Sequence, residues 1–86
     1  MTDLELYKFI KECDVEWKWE KFDGEEYNDI VMFISTQNID EFQELIKDYL
    51  DAKGFYKCNL KTDCIAVRMC AICDFYDIDM DKVFCG

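Results

Sequence analysis

The sequence predicts a single α+β domain over residues 1–86, with the element order αββαββα. Two patterns predict it. Stretches with apolar residues at every third or fourth position, typical of helices, alternate with stretches in which apolar and polar residues take turns, typical of strands. The composition agrees, since 51% hydrophobic and 16% aromatic residues can fill a core in a short chain. The expected architecture is one antiparallel sheet of two hairpins, with helices packed on one face or end.

The first element is a helix predicted over residues 3–13. Thr2 and Glu5 have the spacing of a capping box, in which the side chain of each accepts a hydrogen bond from the other's backbone N–H. The apolar stripe with which this helix faces the core consists of Leu6, Phe9, Ile10 and Cys13.

A hairpin is predicted after the first helix. Val15, Trp17 and Trp19 alternate with charged residues, as in a strand with one buried face. An Asp-Gly pair at residues 23–24 marks the tip, and the apolar run 30–34 is the returning strand. We expect both tryptophans in the core, because large aromatic side chains dominate the packing of so small a domain. If this face of the sheet is open, they would instead anchor an interface.

A second helix is predicted between Asn38 and Gly54. Asn38 is a suitable N-cap, with Glu41 three residues later, and Gly54 can adopt the left-handed conformation that ends many helices. The apolar stripe of this helix consists of Phe42, Leu45, Ile46, Tyr49 and Leu50.

The last third of the chain predicts a second hairpin and short helices. Alternation over residues 56–60 and the apolar run 64–69 read as two strands. Asp79 is expected to cap a final helical turn, with Ile78 packed on Val83. A short third helix before that turn is predicted from Ile72, Phe75 and Tyr76.

The charge balance limits the possible partners. Asp and Glu number 20 and Lys and Arg only 10, which gives a net charge of -10, and histidine is absent. Nucleic acids and anionic membranes would repel such a chain, whereas basic protein surfaces would attract it. Without a signal-like start or a long apolar stretch, the expected location is the cytoplasm of a host cell.

The six cysteines are expected to be reduced. Cys70 and Cys73 are spaced as in zinc and thioredoxin-like sites, with Cys58 and Cys64 as further zinc ligands. However, the residues between Cys70 and Cys73 are apolar, and the chain has no proline for a thioredoxin-like site. We therefore expect these cysteines to act as small hydrophobic residues, with no cofactor and no catalytic residue.

A calcium site is also considered at residues 77–81, where three aspartates alternate with other residues. This segment lacks the glycine and the closing glutamate of an EF-hand loop, and apolar residues follow it. We therefore expect no metal there.

The acidic residues form the most informative pattern. Four carboxylates recur at three- and four-residue spacing on the polar side of the second helix, over about 16 Å. A solvated face that keeps the protein soluble is one interpretation, and imitation of nucleic-acid phosphates is the other. The residues predicted to bind a partner are Asp40, Glu44, Asp48 and Asp51 on that helix, with Asp23, Glu25, Glu26 and Asp29 at the first hairpin tip.

Several of these segments resemble a family of small acidic proteins encoded by phages and mobile elements, over most of the chain. The resemblance lies in the Trp17-x-Trp19 strand, the tip 23–26, the apolar strand 30–34 and the tail 72–84. That family has no assigned activity, so it transfers no functional residue. It implies a context in which compact acidic proteins block host machinery, as anti-CRISPR and DNA-mimic proteins do.

The leading hypothesis is a non-enzymatic inhibitor that binds a basic, nucleic-acid-binding host protein through its acidic face. A self-associating structural protein of a mobile element is the alternative, and a small cysteine-based zinc or redox protein is a more distant one. A homodimer of the chain is also considered.

Overall fold

The computed structural model describes residues 1–22, 24, 28–54 and 63–84, together with the backbone of residues 58–60. The elements in chain order are α1 (Asp3–Glu12), β1 (Glu16–Lys21), β2 (Asn28–Ser35), α2 (Ile39–Leu45), α3 (Lys47–Lys53), β3 (Cys58–Leu60), β4 (Cys64–Arg68), α4 (Cys70–Phe75) and α5 (Met80–Val83). The predicted α+β class is confirmed. The topology differs from the prediction in its helices, because the second helix is divided in two.

The four strands of the described residues form one antiparallel sheet with the order β1-β2-β4-β3. The two predicted hairpins are therefore confirmed, and they join where β2 pairs with β4. Met32 is the register partner of both Trp17 and Val67. Because directly opposed residues share a face of an antiparallel sheet, these three side chains lie on the same side.

The helices cover that side of the sheet. Ile30, Met32 and Ile34 alternate along β2 and belong to the main core cluster, whereas Val31 is buried outside it. The helical and C-terminal residues of the same cluster include Leu6, Phe9, Phe42, Ile46, Ile72 and Phe84. The helices therefore pack on one face of the sheet, which is one of the two arrangements, face or end, that the sequence predicts.

The first helix forms as its capping signals predict. The Thr2 hydroxyl accepts a hydrogen bond from the Glu5 N–H, and the Glu5 carboxylate accepts one from the Thr2 N–H, both at 3.2 Å. The helix ends at Glu12, one residue earlier than predicted. Asp14 then adopts a φ of 50°, a left-handed conformation that aspartate tolerates, and turns the chain into β1.

The predicted second helix breaks at Ile46, which has φ −105° and ψ 26°. The Tyr49 N–H donates to the Tyr76 hydroxyl at 3.0 Å. A side chain that accepts a helical N–H in this way is a recognised cause of a break. The prediction of one continuous helix is therefore wrong, because a side chain from the distant α4 end takes part in the local backbone hydrogen bonding.

Of the other predicted helix caps, Gly54 and Asp79 form and Asn38 does not. Gly54 ends α3 with φ 81° as predicted, and the Asp79 carboxylate caps α5 by accepting from the Asp81 N–H at 3.0 Å. Asn38 precedes α2 but makes no side-chain cap, because its amide donates to the Cys13 carbonyl at 3.4 Å. Within the described ranges, no helix combines the length and apolar character that crossing a lipid bilayer requires.

Candidate protein-binding surface

The four acidic residues predicted on the second helix are all exposed. Asp40 and Glu44 lie on α2, and Asp48 and Asp51 lie on α3. The buried residues of the two helices, including Phe42, point into the core, so the carboxylates project outward despite the break. We refer to Asp40, Glu44, Asp48 and Asp51 as the helical acidic stripe.

Asp48 and Asp51 on α3 both affect the pKa of the Tyr76 hydroxyl. Burial is the main cause that raises the pKa of the Tyr76 hydroxyl, and the charges of Asp48 and Asp51 raise it further. The hydrogen bond from the Tyr49 N–H opposes this by lowering the pKa. Both carboxylates therefore act on the same hydroxyl, as expected for neighbouring negative charges on one surface.

Asp29 does not belong to a binding surface, which corrects the prediction for this residue. It is only 1% exposed. One carboxylate oxygen accepts from Arg68 Nε at 2.9 Å. The other accepts from the backbone N–H groups of Ile30 at 2.7 Å and Cys70 at 2.8 Å. A carboxylate held in this way joins β2 to the β4–α4 connection and has no access to a partner.

The other acidic residues predicted at the first hairpin tip, Asp23, Glu25 and Glu26, lie outside the described residues. Gly24 is described and exposed, with φ 81°. A left-handed conformation at this glycine agrees with the turn predicted from the Asp-Gly pair.

A second group of exposed acids, which the sequence did not predict as a unit, lies where α1 meets β1. Asp14, Glu16 and Asp63 line a cavity of about 420 Å³. Glu12 and Glu41 line a neighbouring cavity of about 320 Å³ between α1 and α2. We call the five residues Glu12, Asp14, Glu16, Glu41 and Asp63 the α1–β1 corner.

Cys13 connects the two parts of this corner. Its thiol donates to the Glu41 carboxylate at 3.3 Å, and it lies between Glu12 and Asp14 in the chain. Burial, followed by the contact with Glu41, raises the pKa of the Cys13 thiol. Glu41 is one helical turn from Glu44, so the corner continues into the helical acidic stripe. The corner and the stripe together form what we call the acidic surface.

The surroundings of Cys73 on α4 oppose activation of its thiol. Cys73 is 1% exposed, and burial, followed by the nearby Cys70 and Asp29, raises its pKa from 9.0 to about 12. The Asp29 carboxylate accepts the Cys70 N–H at 2.8 Å, which places a negative charge at the start of α4. Redox thiols need a lowered pKa, and this arrangement has the reverse effect.

The proposed zinc ligands are not brought together in the described residues. Cys64 lines the cavity at the α1–β1 corner, whereas Cys70 and Cys73 line a different cleft. The side chain of Cys58 lies outside the described residues. Among those that are described, no three acidic or cysteine side chains form a group suited to a metal ion.

The two tryptophans have different surroundings. Trp17 is half-buried, and its ring packs edge-on against Phe84 with centroids 5.0 Å apart. Trp19 is 41% exposed and lines the cleft beside Cys70 and Cys73. The expectation that both belong to the core is therefore met by Trp17 and is wrong for Trp19, because β1 is an edge strand and the helices cover only part of its length.

No protein-family model matches the chain, and no curated protein or solved structure is significantly similar to it.

Proposed function

We propose that this chain is a non-enzymatic binding protein that docks its acidic surface onto a basic, nucleic-acid-binding protein of a host cell. The resemblance to small acidic phage proteins gives this proposal its specific form, which is a phage-type inhibitor of the anti-CRISPR or DNA-mimic kind. The observation that carries the proposal is the run of exposed carboxylates from the α1–β1 corner across α2 to α3.

Among the described residues, the carboxylates of the acidic surface outnumber the basic side chains beside them. Lys47 is the only basic residue between Asp40 and Asp51 in the sequence. Lys8 lines the same cavity as Glu12 and Glu41 and lies 3.8 Å from Glu12, so it offsets one charge of the α1–β1 corner. The surface therefore keeps a negative potential that attracts lysine and arginine side chains.

The rigidity of the surface also supports docking. Phe42, Ile46 and Tyr49 anchor α2 and α3 in the core, so the carboxylates are attached to ordered backbone. A preorganised surface loses less conformational entropy when it binds. A groove that contacts DNA phosphates through basic side chains could satisfy the same contacts with these carboxylates, which would block the nucleic acid.

The experiment is affinity purification from a host lysate at low ionic strength, followed by a salt titration of the bound protein. We expect a basic nucleic-acid-binding protein that elutes as salt rises, because salt screens charge-dependent association. This chain should then compete with nucleic acid for the purified partner. Recovery of no basic partner at low salt would overturn the proposal.

A charge-matched pair of variants distinguishes the surface from net charge. Glu44→Gln combined with Asp48→Asn removes two negative charges from the helical acidic stripe and should weaken binding by about tenfold. Leu4→Lys combined with Tyr7→Lys changes net charge by the same amount on α1, and binding should stay within about twofold. Equal losses in both variants would attribute binding to net charge and contradict a defined surface.

A second candidate function is self-association, which the exposed side of α1 favours. Leu4 is 73% exposed and Tyr7 is 48% exposed, one helical turn apart. Sedimentation of the purified chain tests this alternative. A stable oligomer in the absence of any partner, lost in the Leu4→Lys, Tyr7→Lys variant, would favour it over the inhibitor.

A further inference from the structure

The cleft beside Trp19 has an apolar wall and floor. Its volume is about 390 Å³, and it lies between β1, α4 and α5. Trp19, which is 41% exposed, forms one side, while Ile78 and Cys73, which are almost fully buried, belong to the floor. An open aromatic surface next to apolar side chains can hold a flat or aliphatic group of a partner.

The other lining residues give the cleft a strong negative charge. Asp74, Asp79 and Asp81 are exposed carboxylates at its edge. Asp79 is held in place because its carboxylate accepts the Asp81 N–H at 3.0 Å. None of the described residues that line the cleft is basic. The preferred occupant therefore carries positive charge as well as a surface that can stack on an indole.

One arginine of this protein already contacts both an aromatic ring and a carboxylate. The guanidinium of Arg68 lies 3.7 Å from the ring centroid of Phe22 and also contacts the Asp29 carboxylate at 2.9 Å. One arginine thus combines an aromatic face with an acidic partner. The cleft presents the same two elements, an indole and carboxylates, in an open position.

We propose that this cleft receives an arginine side chain of the basic partner, an inference that rests on the proposed function. The guanidinium is planar and weakly hydrated, so it can stack on the indole of Trp19 while its N–H groups donate to carboxylate oxygens. Lysine has a compact, strongly hydrated ammonium that cannot form the planar contact. Arginine is therefore the occupant that matches both walls.

The probe is the short peptide acetyl-Gly-Arg-Gly-amide, compared with the same peptide carrying citrulline, which has nearly the same shape but no charge. Nuclear magnetic resonance follows the Trp19 indole N–H, assigned with a Trp19→Phe variant. We expect a saturable shift with the arginine peptide and binding weaker by about tenfold with citrulline. The lysine peptide should lie between them.

Asp74→Asn combined with Asp81→Asn removes two charges from the cleft and should weaken arginine-peptide binding by about tenfold. The matched control is Glu44→Gln with Asp48→Asn, which removes two charges elsewhere and should leave peptide binding unchanged. Both changes concern exposed side chains, and retained amide spectra verify that the variants fold. Asp79 stays unchanged because it caps α5.

Absence of a saturable Trp19 shift, equal binding of citrulline, or an unaffected Asp74→Asn, Asp81→Asn variant would each overturn the cleft proposal. The proposed function has a separate readout, which is loss of the lysate partner in the Glu44→Gln, Asp48→Asn variant. The cleft proposal alone would be overturned by a lysate partner whose binding is weakened by Glu44→Gln, Asp48→Asn but not by Asp74→Asn, Asp81→Asn. Recovery of no basic partner would overturn the proposed function while peptide binding reports on the cleft.

Discussion

Asp29 is the residue whose role depends most on its surroundings. Its carboxylate is in contact with Arg68 and with two backbone N–H groups, from β2 and from the start of α4. These contacts compensate for the cost of burying a charge, which would otherwise be several kcal/mol. An aspartate that looks like part of an acidic tip in the sequence is thus a connector between strands and helix.

Replacing Asp29 by alanine should lower the free energy of unfolding by about 3 kcal/mol, because a buried ion pair and two charge-assisted hydrogen bonds lose their acceptor. Urea unfolding followed by circular dichroism measures the change. Glu44→Ala, which removes an exposed carboxylate, serves as the control and should change stability by less than about 0.5 kcal/mol. Similar values for the two variants would contradict a structural role for Asp29.

Because the pKa of the Cys73 thiol is raised, we expect the stability of the protein to change at alkaline pH. Its pKa is about 12 in the folded protein and 9.0 ordinarily, so between these values the unfolded chain releases a proton that the folded chain retains. The free energy of unfolding should therefore be unaffected by this group below about pH 9 and should fall as pH rises above it.

Urea unfolding of the native chain and of Cys73→Ala from about pH 8 to about pH 11 measures this contribution. Other thiols, tyrosines and lysines titrate in both proteins, so the difference between the two pH slopes isolates Cys73. The variant should be less stable at neutral pH because it leaves a cavity, but its stability should fall less steeply. Parallel slopes would show that the Cys73 thiol is not perturbed by burial.

At the scale of elements, the break between α2 and α3 is the main departure from a regular pattern. The apolar stripe continues through Ile46, and no glycine or proline interrupts it. The interruption coincides with the Tyr76 hydroxyl, which accepts the Tyr49 N–H. The Phe75 ring also packs edge-on against Tyr49, with centroids 5.4 Å apart. The end of α4 therefore supports the start of α3.

Tyr76→Phe should cost about 1 kcal/mol of stability, because the Tyr49 N–H loses its hydroxyl acceptor. Amide hydrogen exchange gives the sharper test, since the Tyr49 amide should exchange faster in this variant. Tyr7→Phe removes the hydroxyl of an exposed tyrosine and should leave exchange at Tyr49 unchanged. If the Tyr49 amide were equally protected in Tyr76→Phe, another group would be responsible for the break.

At the scale of the whole molecule, charge repulsion opposes folding. A net charge of -10 is confined within about 31 × 30 × 30 Å. The Debye length is about 30 Å at 0.01 M salt and about 8 Å at 0.15 M, so repulsion acts across the entire molecule only at low salt. The acidic surface concentrates part of this charge on one region.

Raising NaCl from about 0.01 M to about 0.15 M should therefore increase Tm, by about 5 °C if screening contributes about 1 kcal/mol. Thermal unfolding measured by circular dichroism tests this. The Glu44→Gln, Asp48→Asn variant has two fewer negative charges and should gain less from salt. A lower Tm at higher salt would mean that surface ion pairs such as Lys18 with Glu20 outweigh the repulsion.

The candidate site was predictable where it depends on helix geometry. The spacing of Asp40, Glu44, Asp48 and Asp51 opposite apolar residues predicts their exposure, and all four are exposed. The α1–β1 corner was not predictable, because Glu41 and Asp63 reach it from segments distant in the chain. The Trp19 cleft was missed for the same reason, since period-two alternation indicates a face of a strand but not which part of that face the helices cover.

Local chemistry in the chain was sufficient to establish the α+β class, the two hairpins and most helix ends. The Thr2–Glu5 capping box, Gly54 and the Asp79 cap act within a few residues, so their effects can be read directly from the sequence. The division of the second helix and the burial of Asp29 depend on Tyr76 and Arg68, which lie 27 and 39 residues from their partners. Such contacts exist only after the chain has folded, and therefore the tertiary structure alone decides which carboxylates support the fold and which form the acidic surface.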